Sequence, residues 1–200
     1  MELLLLSFYC VIAYLVGSIP VGKIVAASRG VNIQETGTGN IGASNTYLVL
    51  GKKAGIIVLL CDLGKAYVMM LVTFSTFSLG MSLFVGLFLL AGNIKSIFLG
   101  FTGGKGVATG IGIFLATYPL VAVITFTFWV LSTVFIRYLS FIGIAGVLLI
   151  SFTYYRVDYE LLAFICSLLL CVAILYRNRH SKGFMKATAM ADESVVNVKE

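Results

Sequence analysis

Charge is the scarcest property of this chain: only 11% of its 200 residues are Asp, Glu, Lys or Arg. A soluble globule carries roughly a quarter charged residues, so the shortage excludes that class. Histidine is nearly absent, with His180 alone, and no Ser-His-Asp grouping can be assigned. CxxC spacing is missing as well. Cys10, Cys61, Cys166 and Cys171 lie inside apolar runs and read as small buried hydrophobes, not as a disulfide set or metal ligands. Met1-Glu2 offers no basic n-region and the run behind it outlasts a signal h-region, so a cleaved secretory signal is not expected.

What fills the sequence instead is hydrocarbon: 60% hydrophobic residues and a mean hydropathy of +1.06. Apolar segments run at 3–27, 54–77, 79–100, 106–118, 119–136, 138–155 and 159–176. A helix needs about 20 apolar residues to cross a bilayer, with some relaxation from tilt and thinning. The expected fold is therefore all-α and polytopic, with about seven transmembrane helices. Segment 106–118 is short enough to be a broken or partly sunken helix, and Pro119 divides two runs. Residues 1–186 form the expected membrane domain, and 187–200 a polar C-terminal tail.

Lys and Arg set the orientation. An odd number of crossings gathers Arg29, Lys52, Lys53, Lys105, Arg137, Arg177, Arg179, Lys182 and Lys186 on one face. The other face keeps Arg156, beside Asp158 and Glu160. The rich face is then cytoplasmic, with the N-terminus outside and the C-terminus inside. The same parity collects the loop 28–53, the stretch 100–110, "IRYLS" (136–140) and "YRNRHSKG" (176–183) on that face. The net charge of +6 fits a membrane surface or an anionic substrate.

In "GTGNIGASN" (37–45), glycines alternate with Thr38, Asn40, Ser44 and Asn45. Glycine permits positive φ, which lets successive backbone N–H groups form an anion-binding concavity. A flexible polar loop is the plainer reading. The run "AGIIVLL" after Lys52-Lys53 is expected to bring a helix N-terminus against this loop. "GGKG" (103–106) is not a P-loop, because Leu99 stands where the first glycine belongs and Gly106 follows Lys105. It leaves one lysine between glycines at a helix start, placed for a phosphate or merely snorkelling.

Asp62 and Lys65 are one turn apart within a span, where an unpaired charge costs about 2.5–3.5 kcal/mol. Their spacing predicts a pair, either structural or in contact with ligand. Arg137 and Ser140 share the same spacing and face either a phosphate, an acyl carbonyl or the headgroups. "RNRHSK" reads first as a solvated segment near lipid headgroups. In "GSIPVGK" (17–23), Gly17 and Gly22 allow close helix approach and Pro20 can kink the span.

Taken in order, "GSIPVGK", "GTGNIGASN", "GKKAG", "DLGK", "GFTGGKGVATGIG" and "RYLS" resemble the bacterial acyl-phosphate:glycerol-3-phosphate acyltransferases. The resemblance runs from Gly17 to about Arg179. It implies a seven-span enzyme with a cytoplasm-facing site, which moves a fatty acyl group from acyl phosphate to the 1-hydroxyl of glycerol 3-phosphate. Lysophosphatidic acid and phosphate are the products, with no metal or nucleotide needed; a monomer is the expected working unit. By position, Thr38 matches a family serine, and Asn40 and Asn45 match asparagines of the same loop. Lys105 matches the phosphate-loop lysine, and Ser140 a serine near the acyl phosphate. Catalysis is thus assigned to Lys105, Ser140 and Thr38. Substrate binding is assigned to Gly37, Gly39, Asn40, Gly42, Asn45, Gly103, Gly104, Gly106, Arg137, Arg177, Asn178 and Ser181.

The chain also departs from the family pattern. An arginine is replaced by Leu48, the "GH" motif reads Gly92-Asn93, and the tail R-H-R-E-N reads Arg177-Asn178-Arg179-His180-Ser181. Loss of one charge-assisted phosphate contact costs about 1.5–3 kcal/mol. A silent relative that binds phospholipid precursors, and a small transporter of phosphate-bearing metabolites, are the alternatives. Accessibility tags at Asn40 and Lys105 are expected to react from the same side of the membrane; labelling from opposite sides would refute the charge map.

Overall fold

The computed structural model describes residues 1–120, 122–124, 127 and 161–178. Its regular elements there are helices: α1 (Glu2–Ser18), α2 (Val21–Ala27), α3 (Ala43–Leu50), α4 (Lys52–Phe74), α5 (Leu79–Ile94), α6 (Val107–Thr117) and α7 (Leu161–Asn178). A single 3-10 turn, Ile97–Leu99, lies between α5 and α6. Among the described residues, α1 with α2, α4 and α7 are long and apolar enough to cross a membrane, while α5 and α6 are apolar but shorter.

The boundaries follow local chemistry. The expected single span 3–27 is two helices, because Pro20 has no N–H and its ring opposes a continuous helix. Ser78 caps α5, its Oγ accepting from Met81 N at 3.5 Å. Gly51, at φ 85°, turns α3 directly into α4. Segment 79–100 yields a helix only to Ile94, and 106–118 an eleven-residue helix stopped before Pro119. The loop expected over 28–53 is interrupted by α3. Segments 119–136 and 138–155 lie largely outside the described residues.

Contacts at the two ends give the helix directions. At one end Tyr9 meets Thr76 at 3.2 Å and stacks edge-on with Phe77, while Gly80 of α5 lies against Leu162 and Ala163 of α7. At the other end Gly17 abuts Leu89 and Asn93, and Arg177 reaches Gly103 and Gly104. Helices α1, α5 and α7 therefore run one way and α4 and α6 the other. The connections 19–51 and 95–106 and the C-terminal end of α7 all fall at one end of the bundle. The sequence predicted this convergence for its loops.

In hydrocarbon, helices are held less by the hydrophobic effect than by close packing and polar contacts. Leu83, Leu89, Leu90, Met70, Ile113 and Leu170 form the buried centre, while Leu4, Phe8, Leu60, Val68, Leu169 and Val172 stay exposed on the outside. Small residues bring the backbones together: a Cβ at Gly17 would collide with Leu89 O, and one at Gly92 with Tyr14 O. Three cysteines are buried as expected, but Cys61 is exposed on the outward face of α4. Because backbone cannot retreat as a flexible side chain does, Gly92→Val should destabilise the protein by about 1–3 kcal/mol. Thermal unfolding in detergent measures it, with an unchanged midpoint counting against this packing.

Candidate active site

The first polar connection is self-organised. Gly37 and Gly39 adopt φ of 62° and 70°, with Gly39 N donating to Thr36 O at 3.1 Å. Asn45 staples the loop from the first turn of α3. Its Oδ1 accepts from Thr38 N at 2.7 Å, and its Nδ2 donates to Thr36 O at 3.0 Å and Ile33 O at 3.2 Å. Asn45 is only 1% exposed, so its amide holds the loop together at both ends. Asn40 N in turn donates to Thr38 Oγ1 at 3.4 Å.

The amides of Thr38, Gly39 and Asn40 are therefore already occupied, and the expected concavity of successive free N–H groups does not form there. The loop presents Thr38 and Ser44 as exposed side chains and Asn40 as a half-buried one, directly ahead of α3. The helix N-terminus that directly follows this loop in the chain is that of α3, with α4 beginning at Lys52 as the sequence suggested. Gly42 caps α3, and its carbonyl accepts from Thr46 Oγ1 at 3.2 Å. Leu48, where the resemblance implies an arginine, sits half-buried on α3.

The second connection is clamped from two directions. Gly104 N donates to Asn93 O at 2.9 Å, and Gly103 lies where a Cβ would strike the carbonyls of Asn93 and Ile94. Gly106, at φ 79°, is the left-handed N-cap of α6. From α7, Arg177 Nη2 and Nε donate to Gly103 O and Gly104 O, each at 3.2 Å. Asn178 Nδ2 donates to Lys105 O at 3.2 Å and Ile174 O at 2.8 Å. Because N–H and C=O of a trans peptide point oppositely, the amides of Lys105 and Gly106 face away from α7.

Gly103, Gly104, Lys105, Gly106, Arg177 and Asn178 are thus brought together as the sequence predicted. Arg177 and Asn178 act here on loop carbonyls. The first loop shares this end: Leu99, from the turn before GGKG, packs against the cluster of Ile33 and Ile41. Arg137, Ser140 and Ser181 lie outside the described residues. The sequence reading missed Ser96, whose Oγ donates to Ser18 O at 2.6 Å, and the carbonyl contacts of Lys65. A proline inside a span was the available signal, since carbonyls freed within a membrane need donors from elsewhere.

Electrostatically the loop is primed for an anion. Burial pushes the Lys105 ammonium below the usual lysine range, and the neighbouring Arg177 guanidinium lowers it further. A lowered pKa means more neutral amine at a given pH. Lys105 should therefore react with an amine-modifying reagent from lower pH than surface lysines do. Arg177→Gln, by removing one positive neighbour, should move that onset upward, as mass spectrometry across pH would show. An onset that stays in place would remove Arg177 as a cause.

Comparison with known proteins places these features in context. A family model described as Glycerol-3-phosphate acyltransferase matches residues 7–186. The glycerol-3-phosphate acyltransferase of Aquifex aeolicus (strain VF5) is 32% identical over 87% of this chain and 92% of its own length. That of Endomicrobium trichonymphae is 38% identical over 88% and 90%. Among solved structures, the crystal structure of PlsY (YgiH), an integral membrane glycerol 3-phosphate acyltransferase, is similar in its glycerol 3-phosphate form. The TM-score is 0.77 at 32% identity, covering 87% of this chain and 88% of that one. Its lysophosphatidic acid form gives 0.76 over the same shares. With the family matched across almost all of its length and the clamped GGKG loop in place, this chain belongs to the glycerol-3-phosphate acyltransferase family.

Proposed function

We propose that this protein transfers a fatty acyl group from an acyl phosphate to the 1-hydroxyl of glycerol 3-phosphate, releasing lysophosphatidic acid and phosphate. It works as a monomeric plasma-membrane enzyme of about seven spans, with its N-terminus outside and its site facing the cytoplasm. Residues 1–186 carry the activity and 187–200 form a tail. The observation that carries the reading is the GGKG loop. Its carbonyls are held by Arg177 and Asn178, leaving the Lys105 ammonium beside a second cation at the polar end of the bundle. Family membership and the two ligand forms of the similar PlsY structure support the acceptor and product.

Chemically, the donor arrives activated, so no enzyme nucleophile is needed. The glycerol 1-oxygen attacks the acyl carbon, an ester C–O bond forms, and the bond to the phosphate oxygen breaks. The hydroxyl proton leaves with the departing phosphate. Orienting the two substrates supplies much of the acceleration. Charge stabilisation by Lys105, helped by Arg137, supplies more. Thr38 and Asn40 are the first loop's side chains for a phosphate, and Ser140 serves the acyl phosphate. Asn178, which replaces a family histidine, still donates to the loop, so that departure leaves the clamp intact.

The test is purified protein with palmitoyl phosphate and labelled glycerol 3-phosphate, scored for lysophosphatidic acid. Lys105→Ala should lower turnover about a hundredfold or more while the protein remains folded in detergent. Near-normal acyl transfer by that variant would remove Lys105 from the mechanism.

A further inference from the structure

Where α1 gives way to α2, three successive backbone carbonyls take donors from other parts of the bundle. Lys65 Nζ donates to Gly17 O at 3.1 Å and to Ile19 O at 2.8 Å, and Ser96 Oγ donates to Ser18 O at 2.6 Å. The same ammonium forms an ion pair with Asp62 Oδ1 at 2.8 Å. An ammonium has three N–H donors, and two of those on Lys65 go to these carbonyls.

Both polar connections are fastened to this break. Gly22, just beyond Pro20, lies against Ile41 O and Thr46 Oγ1, so the placement of α2 sets the loop that ends at Gly42. On the other side Ser96 opens the turn into GGKG: its N donates to Thr102 O at 3.0 Å, and its O accepts from Phe101 N at 2.9 Å. Gly17 also abuts the backbone of Asn93, whose carbonyl holds Gly104.

We infer that Lys65 is a positioning residue for acyl transfer, fixing the α1–α2 break and through it the spacing between the 37–42 loop and the 103–106 loop. The competing role is that Lys65 only neutralises Asp62 so that α4 can lie in the bilayer. The kinetic arm of the test rests on the acyltransferase reading above; amide exchange does not.

The experiment uses the full chain in detergent as Lys65→Met, Lys65→Arg, Ser96→Ala and the Lys65→Met/Ser96→Ala double variant. Lys65→Met should raise KM for glycerol 3-phosphate about tenfold and accelerate amide exchange in both 36–42 and 96–106, with α7 unchanged. Lys65→Arg, which keeps a cationic donor, should recover most of the loss. Ser96→Ala should raise KM about threefold and loosen 36–42, although it lies on the other connection. Because both residues act through one break, the double variant should be no worse than Lys65→Met.

Unchanged KM and unchanged exchange in both loops for Lys65→Met would overturn the inference, as would losses that multiply in the double variant. If Lys65→Met does not fold, Ser96→Ala decides: unaltered exchange in 36–42 refutes the link. If the unsubstituted protein makes no lysophosphatidic acid, the proposed function falls and the exchange data alone judge the role of Lys65.

Discussion

The described structure depends on how a helix is allowed to break inside a membrane. In an apolar bundle, carbonyls released from the helical ladder need donors from neighbouring elements, and each unsatisfied group is expensive. The donor that Pro20 lacks is replaced at Val16 O by Ile19 N, and at the end of α1 Lys65 and Ser96 donate to the carbonyls of Gly17, Ser18 and Ile19. Lys65 in turn is tolerable in an apolar helix because Asp62 pairs with it and two backbone carbonyls accept from it. A charged residue in an oily helix and a proline in its neighbour thus answer one another. The break then points the chain into the first polar connection.

Glycine plays two different parts at the polar end. At Gly103 and at the α1–α5 contact of Gly17 and Gly92, it is required because backbone oxygens occupy the space a Cβ would need. At Gly37, Gly39 and Gly106 it supplies left-handed backbone instead. The first use sets how closely the helices can approach. The second shapes the two loops. Around them, Asn45 from α3 and Arg177 with Asn178 from α7 use side-chain donors to hold loop carbonyls. Each loop is consequently braced by a helix that does not immediately precede it.

Several elements were open to reading from residues alone. The Asp62–Lys65 pair followed from one-turn spacing and the cost of isolated charge, and the close approach at Gly17 from a small residue beside a proline. The grouping of "GGKG" with "YRN" followed from charge sidedness. Other features were hidden because they depend on partners distant in the chain. Residue type alone does not separate an Asn45 that binds ligand from one that staples its own loop. Arg177 reads as a phosphate contact until its guanidinium is found on two carbonyls. The amides of 38–40 looked available because glycine content reports conformational freedom, not whether the resulting N–H groups are already taken.

By itself, the sequence determined the solvent and the gathering of the described polar connections at one end of the bundle. A chain with this much hydrocarbon and so few charges must hide its backbone in helices, and its lysines and arginines sort its connections onto one face. Its motif order also carried the family. Tertiary structure decided which polar groups are spent inside the fold and which are left to face a substrate. The physical reason is that hydrophobicity and charge sum along the chain, whereas the use of a hydrogen-bond donor depends on which acceptor, dozens of residues away, packing brings within reach.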